Sequence, residues 1–210
     1  KTQLTTEFAY RAAENKEYSA IFWLSAATTY SINNAYKEIA LHLQLDVKGL
    51  SPENIQTLVH NELANILKKT KILIILDNAQ NYNTINDYVT KMHKELSPFL
   101  TTNIIITSRS QHWQETPLIL DVFTPKEALN FIKKYLPDED VIKINKLTAT
   151  LHFFPLALGQ AAAYIKEHTN IDDYLELYKT KEQHFLDKFP GDKNQYSESL
   201  WKTWNIALKD

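Results

Sequence analysis

The chain has 210 residues, 44% of them hydrophobic and 23% charged, with a formal net charge of -2. That length and balance suit a soluble globular protein of one or two domains with a full core, and the charge excludes an overall basic field for DNA, RNA or an acidic membrane. Cysteine is absent, which excludes a disulfide framework and Cys-ligated zinc and fits a reducing, cytoplasmic setting. No apolar stretch reaches the roughly 18 residues of a membrane-spanning helix, and no signal peptide is visible.

Residues 2–14 read as a helix, with Leu4, Phe8 and Ala12 on one face and Ala9 and Ala13 beside it. Lys1-Thr2 opens that helix. A Lys-Thr pair at a helix start is how a Walker A loop ends, the Lys reaching the β/γ-phosphates and the Thr hydroxyl binding Mg²⁺. The glycine-rich part of such a loop is expected before Lys1. Ala20-Ile-Phe-Trp-Leu24 reads as a strand, and Ile32, Ala35, Ile39, Ala40 and Leu43 make a helical stripe. Ser51-Pro52 places Ser at an N-cap and Pro at N1 of a helix whose core face is Ile55, Leu58, Val59, Leu63 and Ile66.

Two apolar runs follow, Lys71-Ile-Leu-Ile-Ile-Leu-Asp77-Asn78 and Asn103-Ile-Ile-Ile-Thr107-Ser108-Arg109, separated by a helical stripe of Ile85, Tyr88, Val89 and Met92. Each run reads as a strand buried on both faces. In an open parallel sheet the chemistry sits at the carboxyl ends of the strands, so Asp77 and Arg109 are expected side by side there. An acid for a metal beside a cation for a phosphate is the equipment of a nucleotide site. Leu118-Ile-Leu120 reads as a short further strand after Pro117.

Strands alternating with helices predict an α/β fold with a mainly parallel sheet. The pattern changes near residue 122, beyond which only helical stripes occur. Thr124-Pro125-Lys126-Glu127 starts the first; Val141, Ile144, Leu147 and Leu151 mark the second. Pro155 opens an alanine-rich third; Tyr174, Leu175 and Tyr178 mark a fourth. Phe189-Pro-Gly-Asp192 is a turn signal, and Ser197 to Leu208 reads as a last helix with Trp201, Trp204 and Leu208 on one face. The seven histidines are scattered and form no metal pattern; most are expected at surface or boundary positions, with His152, before Pro155, the one of interest.

In this order, the Lys1-Thr2 start, the strand Phe22-Trp23-Leu24, and the ends Leu76-Asp77-Asn78 and Thr107-Ser108-Arg109 resemble an NB-ARC module of the STAND class of P-loop NTPases. Leu151-His-Phe-Phe-Pro155-Leu-Ala-Leu158, with its alanine-rich continuation to Ile165, is similar to the family's Gly-Leu-Pro-Leu motif. Ser199-Leu-Trp-Lys-Thr-Trp-Asn205 resembles the start of the winged helix that follows, and Trp23 with Asp77-Asn78 looks most like the bacterial branch that carries tetratricopeptide repeats.

The resemblance implies a three-layer P-loop NTPase sheet domain over 1–122, a helical ARC-type subdomain over 123–192 and the start of a winged helix over 193–210. It implies a switch: ADP held between sheet and helical domains, exchange for ATP permitting self-association, and at most slow hydrolysis, with protein partners engaged through domains outside this chain. Asp77 would bind Mg²⁺ directly or through water; otherwise it is a solvated acid capping the next helix. Asn78 stands where many members place a second acid. An amide orients water without accepting its proton, so weak hydrolysis is expected; otherwise Asn78 only tightens the turn. Arg109 resembles the arginine that touches the γ-phosphate; otherwise it pairs with Asp77 or Glu115. Thr107 and Ser108 are expected as turn and cap residues.

Pro155 resembles the proline that packs near the adenine, and it is also a favoured N1 residue. Phe153-Phe154 replaces the family's Gly-Leu, and bulk at Phe153 is expected to alter how closely the backbone approaches a nucleotide. Asn78, Phe153 and Gln80, the last where an acid is common in the bacterial branch, feed an alternative: a catalytically inactive scaffold making protein contacts only. A STAND-class transcriptional regulator is a further alternative, and it would need a DNA-binding domain outside this chain.

Overall fold

A computed structural model describes the backbone of residues 1–110, 113 and 116–188, and side chains as far as residue 180. The chain divides into two compact units, Lys1–Ile119 and Leu120–Asp210. The expected turn at 189–192 and the helix from Ser197 to Leu208 lie outside the described residues.

The first unit runs α1 (Thr2–Glu14), β1 (Ala20–Ser25), α2 (Thr29–His42), α3 (Pro52–Ile66), β2 (Lys71–Ala79), α4 (Tyr82–Leu96) and β3 (Thr101–Ser108). Local chemistry starts three of the helices: the side chains of Thr28, Ser51 and Asn81 accept the backbone N–H of Ser31, Asn54 and Thr84, filling donors that a helix start leaves open. The strands form one parallel sheet in the order β1-β2-β3. Ala20 to Ser25 run beside Ile72 to Asp77, and Lys71 to Leu76 beside Thr101 to Ile106.

Alternation along the strands separates two faces. Phe22, Leu24, Ile72, Ile74, Leu76 and Ile104 pack with Ile32, Ile55, Val59, Ile85 and Met92 of α2, α3 and α4. Asp77 belongs to the opposite face, where α1 lies. α1 buries small residues there, Thr5 and Ala12, while Leu4 and Phe8 stay 54% and 40% exposed, so the expected Leu4–Phe8–Ala12 core face is half open. β2 is buried along Ile72–Leu76 as expected of a central strand. β3 is not buried on both faces: Asn103 and Ile106 are exposed, because β3 is an edge of the described sheet. Leu118 and Ile119 form no strand and are 84% and 82% exposed; an apolar tripeptide with no ladder partner has nothing to hold it extended.

A polar seam crosses the helical layer. Tyr36 of α2 meets Nε2 of His60 of α3 at 2.8 Å, and His60 Nδ1 meets Glu95 Oε2 of α4 at 2.6 Å. The Thr57 hydroxyl donates to the other Glu95 oxygen at 3.2 Å. A second tier centres on Asn33 of α2, whose side-chain oxygen Oδ1 accepts from Gln56 and Tyr88. His60 is 1% exposed, a buried exception to the surface or boundary positions expected of most histidines: two hydrogen-bond partners let an imidazole be buried. Burial, outweighing the raising effect of the bond to Glu95, holds its pKa below the ordinary value, and burial likewise pushes the Tyr36 phenol far up.

The second unit contains α5 (Pro125–Tyr135), α6 (Val141–Thr150), α7 (Pro155–His168) and α8 (Ile171–Lys188). Thr124 and Glu127 form a reciprocal capping box with Pro125 at the helix start, and Asp140 caps α6. Ala128, Ile132, Ile144, Leu147, Leu158, Ala161, Ile165 and Tyr174 build a separate core. Alanine at 157, 161 and 162, fully buried, gives α7 a flat face against which neighbours pack closely.

Candidate functional site

The site is assembled where β2 and β3 end. Leu76 pairs with Ile106 and Ala79 with Ser108, so Asp77 and Asn78 stand opposite Thr107 alone. Two residues against one is a β-bulge, a device that re-aims a side chain at a sheet rim. Asn78 absorbs the bulge with φ of 62°, a left-handed conformation that Asn tolerates better than most residues.

The Thr107 hydroxyl fixes this turn. It donates to Asp77 Oδ1 at 2.5 Å and accepts the Asn78 N–H at 2.9 Å. Ser108 acts in parallel, its hydroxyl donating to the Ala79 carbonyl at 2.6 Å. Thr107 is therefore a buried strand residue, 6% exposed, and not the turn or cap residue expected from sequence. On the other side, the Ala26 N–H donates to the Asp77 carbonyl at 2.7 Å.

α1 brings the remaining groups. The Thr2 hydroxyl donates to Asp77 Oδ1 at 2.9 Å, and the Lys1 ammonium donates to the Ser108 carbonyl at 2.5 Å. Four sequence-expected residues, Lys1, Thr2, Asp77 and Asn78, thus meet at one rim. Lys1, Thr2 and Asn78 are exposed there and Asp77 is half-buried. Arg109 follows directly after β3 and is exposed; the side chains that touch Asp77 are Thr2 and Thr107 rather than Arg109.

These groups fit a phosphate with a hard cation. A carboxylate and a hydroxyl supply oxygen ligands of the kind Mg²⁺ takes beside substrate phosphates. An ammonium and the N-terminus of a 13-residue helix supply positive charge and N–H donors for an anion. No group of three or more His, Asp or Glu residues that could hold a metal by itself occurs among the described residues.

Pro155 stands in the second unit, half-buried at the start of α7. The turn before it is a Schellman closure of α6: the His152 N–H bonds the Ala149 carbonyl and the Phe153 N–H the Thr148 carbonyl, at 3.0 and 2.9 Å. His152 and Phe153 both take left-handed backbone, φ 51° and 56°. The Phe153 ring packs against the helical core, and its carbonyl accepts the Phe123 N–H at 3.0 Å. Gln80 is exposed beside the Asp77 turn.

Sequence reasoning missed Thr107. A trace of signal existed: a hydroxyl residue at the end of a strand expected to run parallel to the Asp77 strand. No helix among the described residues is long and apolar enough to cross a membrane. The family model of the NB-ARC domain matches residues 1–141 of the 210, spanning the whole sheet unit, α5 and the approach to α6. No curated protein matches the chain significantly. With its three-stranded parallel sheet and flanking helices, the chain belongs to the NB-ARC family and is a nucleotide-binding module of the STAND type on the P-loop NTPase fold.

Proposed function

We propose that the chain is an ADP/ATP-dependent conformational switch using Mg²⁺, with at most slow ATP hydrolysis and with self-association in the ATP state. The observation that carries this reading is the convergence on one rim of Lys1, Thr2 and Asp77, where one carboxylate oxygen takes two hydroxyl bonds beside an ammonium. Lys1 serves the phosphates, Thr2 and Asp77 the Mg²⁺, and Arg109 senses the terminal phosphate. Residues 1–122 form the nucleotide-binding domain, 123–192 the helical subdomain with Pro155 near the base, and 193–210 the start of a winged helix. Asn78 tightens the turn through its left-handed backbone and, as an amide, cannot act as general base at neutral pH, which supports slow hydrolysis. Other domains of a cytoplasmic signalling protein, in the tetratricopeptide-repeat branch, carry the protein partners.

A nucleotide moves such an equilibrium only by its differential affinity for the two states. The test is calorimetric binding of ADP and ATP with Mg²⁺ to the full natural polypeptide, beside Lys1→Ala. Loss of affinity by about 100-fold in the variant, on the order of 3 kcal/mol, is the expected result. Absence of binding by the parent protein, with its circular dichroism intact, replaces the switch by the catalytically inactive scaffold.

A further inference from the structure

We infer that Thr107 is the positioning residue of the site, its hydroxyl setting the orientation of the Asp77 carboxylate and of the Asn78 turn together. The inference deepens the nucleotide reading and rests on it for its ligand. Three observations on β2 and β3 carry it. The bulge places Thr107 opposite two residues at once, between the Leu76–Ile106 and Ala79–Ser108 pairs. Its hydroxyl donates to Asp77 Oδ1 and accepts from the Asn78 N–H, which uses the one proton and one lone pair of the group. Thr107 is 6% exposed, so bulk water cannot readily replace either bond.

The consequence concerns both state and charge. Asp77 is the last residue of β2 before the left-handed Asn78, and a short side chain on a bulge has rotameric freedom unless a neighbour removes it. Thr107 removes it from a second strand. The Thr2 hydroxyl meets the same oxygen, Oδ1, so Oδ2 is the carboxylate oxygen that Thr2 and Thr107 leave for a cation. The residue that follows the pair Thr107-Ser108 is Arg109. The Thr107 hydroxyl is thus the side-chain link between β3, which leads into Arg109, and the Asp77 carboxylate. Second-layer groups of this kind tune metal affinity by holding the ligand in place.

The test pairs Thr107→Val, which keeps the shape and deletes the hydroxyl, with Thr107→Ser, which keeps the hydroxyl. Two readouts are taken on the full polypeptide: hydrogen exchange of the Asn78 amide, which needs no nucleotide, and the Mg²⁺ dependence of ADP binding. Thr107→Val is expected to speed Asn78 exchange and to weaken Mg²⁺-dependent ADP affinity by about 10-fold, with the Ile74 and Ile75 amides still protected. Thr107→Ser is expected to match the parent in both. Unchanged Asn78 exchange in Thr107→Val overturns the inference, and so does a Thr107→Ser protein as impaired as Thr107→Val, since methyl packing would then be the cause. A parent protein that binds no ADP overturns the nucleotide reading instead, and the exchange data still decide the tie itself.

Discussion

The rim at the ends of β2 and β3 and the seam between α2, α3 and α4 use the same chemical groups to opposite ends. Each joins a carboxylate to hydroxyls from other elements: Asp77 to Thr2 and Thr107, Glu95 to Thr57 with His60 and Tyr36 beyond it. At the seam the network is closed. Tyr36 and His60 are 3% and 1% exposed and each polar atom meets a partner inside the protein. At the rim, Lys1, Thr2, Asn78 and Arg109 all face solvent. The difference teaches that a titratable cluster is identified as a binding site by its open valences and not by its composition. A closed buried network fixes how three helices sit; an open one retains capacity for a ligand.

Breaking each cluster in turn tests the distinction. His60→Leu leaves the Tyr36 hydroxyl buried without its partner and removes the donor to Glu95. The expected cost is about 3 kcal/mol, read as a lower urea midpoint at unchanged slope. Asp77→Asn keeps an oxygen that can accept both hydroxyls and is expected to cost about 1 kcal/mol or less while abolishing the Mg²⁺ dependence of nucleotide binding. Should Asp77→Asn unfold the protein as readily as His60→Leu, the rim is a structural clamp and the comparison fails.

Acid sharpens the same contrast at smaller amplitude. The geometry fits a neutral His60 whose Nδ1–H donates to Glu95 and whose Nε2 accepts from Tyr36. Its pKa lies below the ordinary 6.5, burial outweighing the opposing pull of Glu95, with Lys91 lowering it further. The unfolded chain then binds the proton more tightly than the folded one. This contribution to stability is complete above pH 6.5 and is lost as pH falls from there toward the depressed value. The urea midpoint of the parent should therefore drop between pH 7.5 and 5.5 by more than that of His60→Gln, which has no such group. Equal drops in the two proteins would remove His60 as the source.

How far the sequence alone reached follows from the range of the interactions involved. Caps act over three residues, so Ser51-Pro52 and Thr124 to Glu127 were legible and fall at helix starts; the Lys1-Thr2 start was legible from the apolar stripe that follows it, with no side-chain cap. The Asp77 strand was legible from its unbroken apolar run. Thr107 was not, because its bonds to Asp77 and Asn78 span 30 and 29 residues and depend on a one-residue bulge that no local pattern announces. The seam was hidden for the same reason: His60 reaches Tyr36 and Glu95 across 24 and 35 residues. Leu118–Leu120 erred in the other direction. It has the composition of a strand, but strand identity requires a neighbouring ladder, and composition cannot supply one.

The smallest effect bears on the turn before Pro155. The chain has only 3 glycines, and α1, α2 and α6 each end on a left-handed residue that is not glycine: Lys16, Gln44 and His152, at φ 56°, 57° and 51°. A left-handed backbone costs an ordinary residue roughly 1–2 kcal/mol, a penalty that glycine escapes while losing more chain entropy on folding. His152 is exposed, so His152→Gly removes strain without removing packing, and a net gain of about 0.5–1 kcal/mol is expected. Lys16→Gly, at a turn far along the chain from any proposed site residue, is the matched control and should gain as much. ADP affinity separates the two. If both variants bind ADP as the parent does, the His152 turn is a helix cap like that of α1, and Pro155 acts as a helix-starting residue only. If His152→Gly alone alters ADP affinity, the turn before Pro155 takes part in nucleotide binding and is more than a helix cap.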